Sequence, residues 1–173
     1  LDAADACAAQ DAEQPVDGVR AMAEVSARCS VPIMADESVW TERDVIAVST
    51  AGAAQYLSVY YTKPGGLWKT RRLLTVAGAH GFACDINGSG EMGIGNAANL
   101  HVAASSPEVT LAGTIPVTST SSTERTEVAG RKYVDDIIRT PFEFRDGHLV
   151  VPDGPGLGVE VDEQKLRRYA VAV

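Results

Sequence analysis

The sequence predicts an α/β fold built on parallel strands, either an open sheet or part of a closed barrel. Three observations carry that expectation. Short runs of branched and aromatic residues alternate with longer stretches of helical period. The connections between them are short, as in successive β-α units. The 173 residues are 45% apolar and 22% charged, the size and composition of an ordinary globular domain.

Each element has its own signal. Residues 12–16 and 32–36 are the first two expected strands. Between them, residues 18–29 set Val19, Met22, Ala23, Val25 and Ala27 among charges, an amphipathic helix. Residues 41–50 follow as a helix with Thr41 as N-cap. The run QYLSVYY at 55–61 is a strand, and 65–78 a helix carrying Leu67, Leu73, Leu74 and Val76. Residues 81–87 are a strand, 95–104 a helix and 108–115 a fifth strand. The Ser/Thr-rich, aperiodic segment 116–132 reads as a loop or lid. Short strands at 142–144 and 149–151 flank Arg145-Asp146-Gly147, a hairpin signal. Residues 154–158 make a Gly-rich turn and 162–169 a last helix.

Five parallel strands raise a question of closure. A parallel sheet needs both faces covered, and a barrel of this kind closes with eight strands. The expectation is therefore an open doubly wound sheet, or the back part of a barrel whose front part is another chain.

Composition excludes several function classes. The formal charge of −8 argues against binding a phosphate backbone. No run reaches the roughly 18 apolar residues of a membrane helix. The odd cysteine count (Cys7, Cys29, Cys84), with no pair at zinc-ligand spacing, fits reduced thiols in a cytoplasmic protein. The first residue, Leu1, suggests a processed chain or one taken from a longer chain.

Acidic residues mark the carboxyl ends of the strands, where active sites of α/β folds lie. Glu13-Gln14-Pro15 ends the first strand and Asp36-Glu37-Ser38 the second. Two carboxylates converging there either stay solvated or share a hard cation such as Mg2+. Tyr60 to Gly66 closes the third strand, with Lys63 as a base or electrostatic partner and Tyr60 as a proton or hydrogen-bond donor. Gly88-Ser89-Gly90-Glu91-Met92-Gly93 matches G-x-G-x-x-G, but Glu91 would repel a pyrophosphate. The other reading places Asp85, Asn87, Ser89 and Glu91 near the mouth of a substrate site.

Taken in order, these motifs resemble the enolase superfamily, in its muconate lactonizing enzyme and mandelate racemase-like branch. The resembling residues are Glu13 to Val16, Val31 to Ser38, Lys63-x-Gly65-Gly66, Gly90 to Gly95 with Ala97, Ala98 and His101, and Gly154 to Val159. The resemblance implies the C-terminal part of a modified (β/α)8 TIM barrel, about strands 4–8. Residues 1–115 would be the partial barrel, 116–140 a loop and return segment, and 141–173 a contribution to a capping domain.

It further implies a Mg2+-dependent lyase or isomerase of the cycloisomerase, dehydratase or epimerase type. Such an enzyme abstracts a proton α to the carboxylate of a small acid. Glu13 and Asp36 would be metal ligands. Tyr60, Lys63 and Glu91 would be catalytic, and Glu37, Asp85, Asn87 and Ser89 would contact substrate. The family's first metal-binding Asp and its Lys-x-Lys base are not found. A second polypeptide carrying the capping domain and first barrel strands is the expected partner, within a homo-oligomer of the completed unit. The family's sixth-strand lysine corresponds to Tyr60, counting three back from Lys63, which disfavours two-base racemisation. The stretch Thr110-Leu111-Ala112-Gly113 lacks the Asp-x-Asp of dipeptide epimerases. The alternatives are a non-catalytic subunit of the same fold, or an open-sheet dinucleotide-binding domain.

Overall fold

The computed structural model describes residues 9–88, 90–113, 115 and 136–171. They fall into two compact units. One runs up to Ile86 and adds Ser106–Ala112; the other takes Asn87–Ser105 and the residues from Gly113 onward.

The first unit is four parallel strands joined by three helices. The strands are β1 (Ala12–Glu13), β2 (Ile33–Ala35), β3 (Tyr56–Val59) and β4 (Ala83–Ile86). Each pairs with the next in sequence, giving the order β1-β2-β3-β4. The crossovers are α1 (Val19–Ser26), α2 (Glu42–Ala51) and α3 (Leu67–Ala79). Strands added in one direction by right-handed crossovers put every helix on the same face of the sheet. A doubly wound sheet instead reverses its order and binds its ligand at the reversal. These four strands have no reversal, so the dinucleotide reading loses its structural basis.

Register shows how the two faces are used. Ile33 pairs with Ala12, Ala35 with Leu57, Leu57 with Cys84 and Val59 with Ile86. Side chains alternate along a strand, so these residues share one face, and it is apolar. Ile33, Ala35, Leu57, Val59, Cys84 and Ile86 are all buried there. The helices supply the matching core: Met22 from α1, Val45 and Val48 from α2, and Leu73, Leu74 and Ala77 from α3. Burial pushes the Cys84 thiol up to about 12, with the charges of Asp85 and Glu108 adding to it. That thiol is inert packing.

The helix ends follow local chemistry. Thr41 caps α2 as expected, in a capping box with Asp44, and Gly52 closes it in the left-handed conformation at φ 62°. α1 starts one residue later and ends three earlier than the pattern suggested. The expected fifth strand at 108–115 is reduced to one bridge, Val109 beside Cys84. Cys84 donates to the Glu108 carbonyl and accepts from the amides of Thr110 and Leu111. Pro107 has no amide to offer, and no further strand of this sheet is found among the described residues, so nothing extends that ladder.

In the second unit, α4 (Gly93–Ala104) is followed by a hairpin of β5 (Phe144–Arg145) and β6 (His148–Leu149), and by α5 (Glu163–Tyr169). Asp136, buried, accepts from the Gly93 amide at 2.9 Å and caps α4 from 43 residues away. The hairpin turn is tighter than expected. Only Asp146 (φ 52°) and Gly147 (φ 78°) lie between the paired residues Arg145 and His148, and both are left-handed, as a two-residue I′ turn needs. The expected lid at 116–132 lies outside the described residues. Among the described residues, no helix is long and apolar enough to cross a membrane.

Candidate functional site

The carboxyl ends of the strands gather the charged groups of the first unit. Glu13 is the last residue of β1, Asp36 follows β2 directly, Lys63 lies in the turn after β3, and Asp85 lies on β4. Glu13, Gln14, Asp17, Asp36 and Glu37 line one open cavity of about 330 Å³.

Lys63 is the centre of this arrangement. Its side chain is 1% exposed and that of Asp36 17%. The ammonium donates to Asp36 Oδ1 at 2.5 Å, to the Asp36 carbonyl at 2.9 Å and to the Ser58 carbonyl at 2.7 Å. It also sits 4.7 Å from the centre of the Tyr60 ring, a cation–π contact. Burial lowers its pKa, and the hydrogen bond and charge of Asp36 oppose that shift. Gly65 (φ 84°) and Gly66 (φ 122°) reverse the chain just after it, which brings the turn back over the strand ends. Three hydrogen bonds take up the three N–H directions of this ammonium. Tyr60 presents its ring to the same ammonium.

The remaining carboxyls repel one another. Glu13 is raised above its ordinary pKa by partial burial and then by the charge of Asp36; a Ser58 hydrogen bond opposes this, and Glu37 adds to it. Asp85, 3% exposed, is pushed up to about 7, first by burial and then by the Glu13 charge. Hydrogen bonds from the Ser58 side chain and the Val59 backbone pull it the other way. Ser58 pairs with Asp85 in register, on the face opposite the helices. Its hydroxyl favours the charged form of two carboxyls on different strands, with a single proton to donate between them.

Two contributors are not evident in the sequence motifs. One is Ser58, a small polar residue at the inner position between Tyr56 and Tyr60 in the alternation of QYLSVYY. The other is Gln14. Its backbone is left-handed (φ 36°) although it precedes Pro15, which favours extended backbone. Its side-chain oxygen accepts from the amides of Asp36 at 2.9 Å and Ser38 at 3.2 Å.

Of the expected site residues, Glu13, Asp36 and Glu37 share the cavity, Lys63 bonds Asp36, and the Tyr60 ring meets the Lys63 ammonium. Asn87 and Glu91 belong to the second unit, on the loop before α4. Their carbonyls accept from the side chains of Asn99 at 3.1 Å and Asn96 at 2.7 Å. Ser89 lies outside the described residues.

The donor chemistry suits a hard cation. Glu13 and Asp36 offer only oxygens, open to one cavity and repel each other without a positive charge between them. Among the described residues no group of three His, Cys, Asp or Glu could hold a metal ion. The two carboxylates that open to the cavity are the groups whose chemistry fits such an ion.

Comparisons with known proteins identify the family. The family described as Enolase C-terminal domain-like matches residues 2–165. Muconate cycloisomerase 1 of Rhodococcus opacus is 34% identical over 160 residues, covering 91% of this chain and 39% of that protein. N-succinylamino acid racemase of an Amycolatopsis species is 37% identical over 149 residues, 85% of this chain and 37% of its own length. The crystal structure of 2-chloromuconate cycloisomerase from Rhodococcus opacus 1CP superposes with a TM-score of 0.79 at 30% identity, covering 94% of this chain and 42% of that one. The chain belongs to the enolase superfamily, in its muconate cycloisomerase and mandelate racemase-like branch. It spans about two fifths of the length of the curated relatives it matches.

Proposed function

We propose that this chain carries part of the active site of a Mg2+-dependent lyase or isomerase that removes a proton α to the carboxylate of a small acid. The reaction is of the cycloisomerase, dehydratase or epimerase type. The observation that carries the reading is the pairing of Glu13 and Asp36. They stand at the carboxyl ends of neighbouring parallel strands and open to one cavity in a chain of this family.

The four strands read as consecutive strands of a modified (β/α)8 barrel. Their polar face, with Ser58 and Asp85, is then the barrel interior. The rest of the barrel, on this polypeptide or on a second one, supplies a further acidic ligand, the proton-abstracting base and the cap over the substrate. A homo-oligomer of the completed unit is part of the same proposal.

Mg2+, when bound, offsets the negative charge that grows on the substrate carboxylate as its α-proton leaves. Glu13 and Asp36 would hold the cation. Lys63 keeps Asp36 oriented and balances its charge when no cation is present. Tyr60 donates a hydrogen bond or proton from its hydroxyl. Glu91 handles a proton at the mouth, and Glu37, Asp85, Asn87 and Ser89 contact substrate. With Tyr60 in the place of a second lysine base, one-base chemistry is favoured over racemisation.

The test is Asp36→Ala in the complete enzyme. Mn2+ binding followed by electron paramagnetic resonance, and α-proton exchange of small carboxylic acids in D2O, should each fall by more than about 100-fold. Binding and exchange equal to wild type would remove the assignment.

A further inference from the structure

We infer that Gln14 is the positioning residue that sets Glu13 against Asp36 for cation binding, an inference that rests on the metal-site reading above. β1 is only two residues long and makes two register pairs with β2, Ala12 with Ile33 and Glu13 with Met34. Two pairs hold a strand end weakly, and Glu13 is that end. The next residue adds the missing constraint.

Gln14 bridges from β1 to β2 and the segment after it through its backbone amide and both polar atoms of its side chain. Its backbone amide donates to the Met34 carbonyl at 2.9 Å. Oε1 accepts from the amides of Asp36 and Ser38, both beyond the end of β2. Nε2 donates to the Val16 carbonyl at 2.9 Å and to Ser38 Oγ at 2.8 Å, with Met22 Sδ at 3.1 Å. The backbone carrying one metal ligand is thereby bonded to the residue next to the other. The left-handed backbone at Gln14 belongs to the same device, because strain of this kind persists only where surrounding bonds hold it.

The opposite end of β2 supplies a natural control. Gln55 makes a similar bridge there: its Oε1 accepts from the Ile33 amide at 2.9 Å and its own amide donates to the Ile33 carbonyl. That bridge lies at the amino ends of the strands, away from the carboxylates. Losing it should weaken the sheet without moving the ligands.

The experiment measures the Mn2+ dissociation constant by electron paramagnetic resonance in the complete enzyme, with melting temperature recorded in EDTA for each variant. Gln14→Ala should weaken Mn2+ binding about 10- to 100-fold, the usual cost of losing a group that orients a ligand. Gln14→Gly should be as weak, because it relieves the backbone but has no amide to bridge. Gln55→Ala should lower the melting temperature and leave affinity within about twofold of wild type. Asp36→Ala should abolish binding. Gln14→Ala and Gln14→Gly at wild-type affinity, with Asp36→Ala inactive in binding, would overturn the inference and leave the metal site standing. Recovery in Gln14→Gly alone would also overturn it, since backbone shape and not the amide would then set the ligands. Wild-type affinity in Asp36→Ala would overturn the metal-site reading itself.

Discussion

The two faces of the four-stranded sheet share one backbone and differ in chemistry. Toward the helices stand Ile33, Ala35, Leu57, Val59, Cys84 and Ile86, all buried and all apolar. The other face carries Glu13, Tyr56, Ser58 and Asp85 on the same strands, with Asp36 just beyond β2. Parallel strands covered on both sides by helices usually read as unbroken apolar runs. Here the alternation gives one face to the core that α1, α2 and α3 build. The other holds carboxyls close enough to shift one another, which works against stability and suits the binding of a cation and a polar substrate.

The contrast can be broken first on the apolar face. Leu57→Ala removes a fully buried side chain from the centre of that face. It should cost about 3 kcal/mol of stability, within the range for Leu→Ala in cores, and leave Mn2+ affinity per folded molecule unchanged. Urea denaturation with Mn2+ titration checks both; a loss under about 1 kcal/mol would mean that this face is poorly packed.

Lys63→Met acts across the boundary between stability and site. It removes the counter-ion of Asp36, so the loss should be about 2 kcal/mol, below the usual figure for a broken buried pair because Asp36 is partly exposed. Saturating Mg2+ should return part of that loss, since the cation replaces the missing positive charge and binds the folded state. Melting curves with EDTA and with Mg2+ separate the two terms. An identical deficit in both would show that Lys63 is packing alone.

The subtlest break is in pH dependence. Asp85 is raised from 3.8 to about 7, so the folded protein holds a proton there that the unfolded chain has already lost. Its contribution to stability is fully present below about pH 4, declines as pH rises toward 7, and is flat above that. The decline is up to about 4 kcal/mol at full strength. Asp85→Asn should flatten this slope in metal-free buffer and exceed wild type in stability at pH 8. Parallel slopes for the two proteins would show that Asp85 is ionised in the folded state throughout.

Much of the fold and part of the site can be read from residues alone. The cores of β2, β3 and β4 lie inside the expected spans because Ile33, Leu57, Val59 and Ile86 are branched or apolar at alternate positions. Glu13 and Asp36 are legible because they stand where strands end. The span 108–115 has strand-forming residues in Val109, Thr110 and Ile115, yet only Val109 bridges. A strand is completed by its neighbour and not by its own propensity. The role of Gln14 is hidden for a similar reason. Nothing in Glu-Gln-Pro announces a left-handed backbone, which a proline that follows disfavours.

The sequence by itself determined the α/β class, the order of the elements and the residues that end the first two strands, because period and end signals are local. Tertiary structure decided that all four strands add in one direction, which puts α1, α2 and α3 on one face of the sheet. It turned Lys63 inward onto Asp36, set Ser58 near both Glu13 and Asp85, and joined β1 to the end of β2 through Gln14. Those outcomes depend on which groups meet across strands, and the burial and charge that shift each carboxyl exist only once they have met.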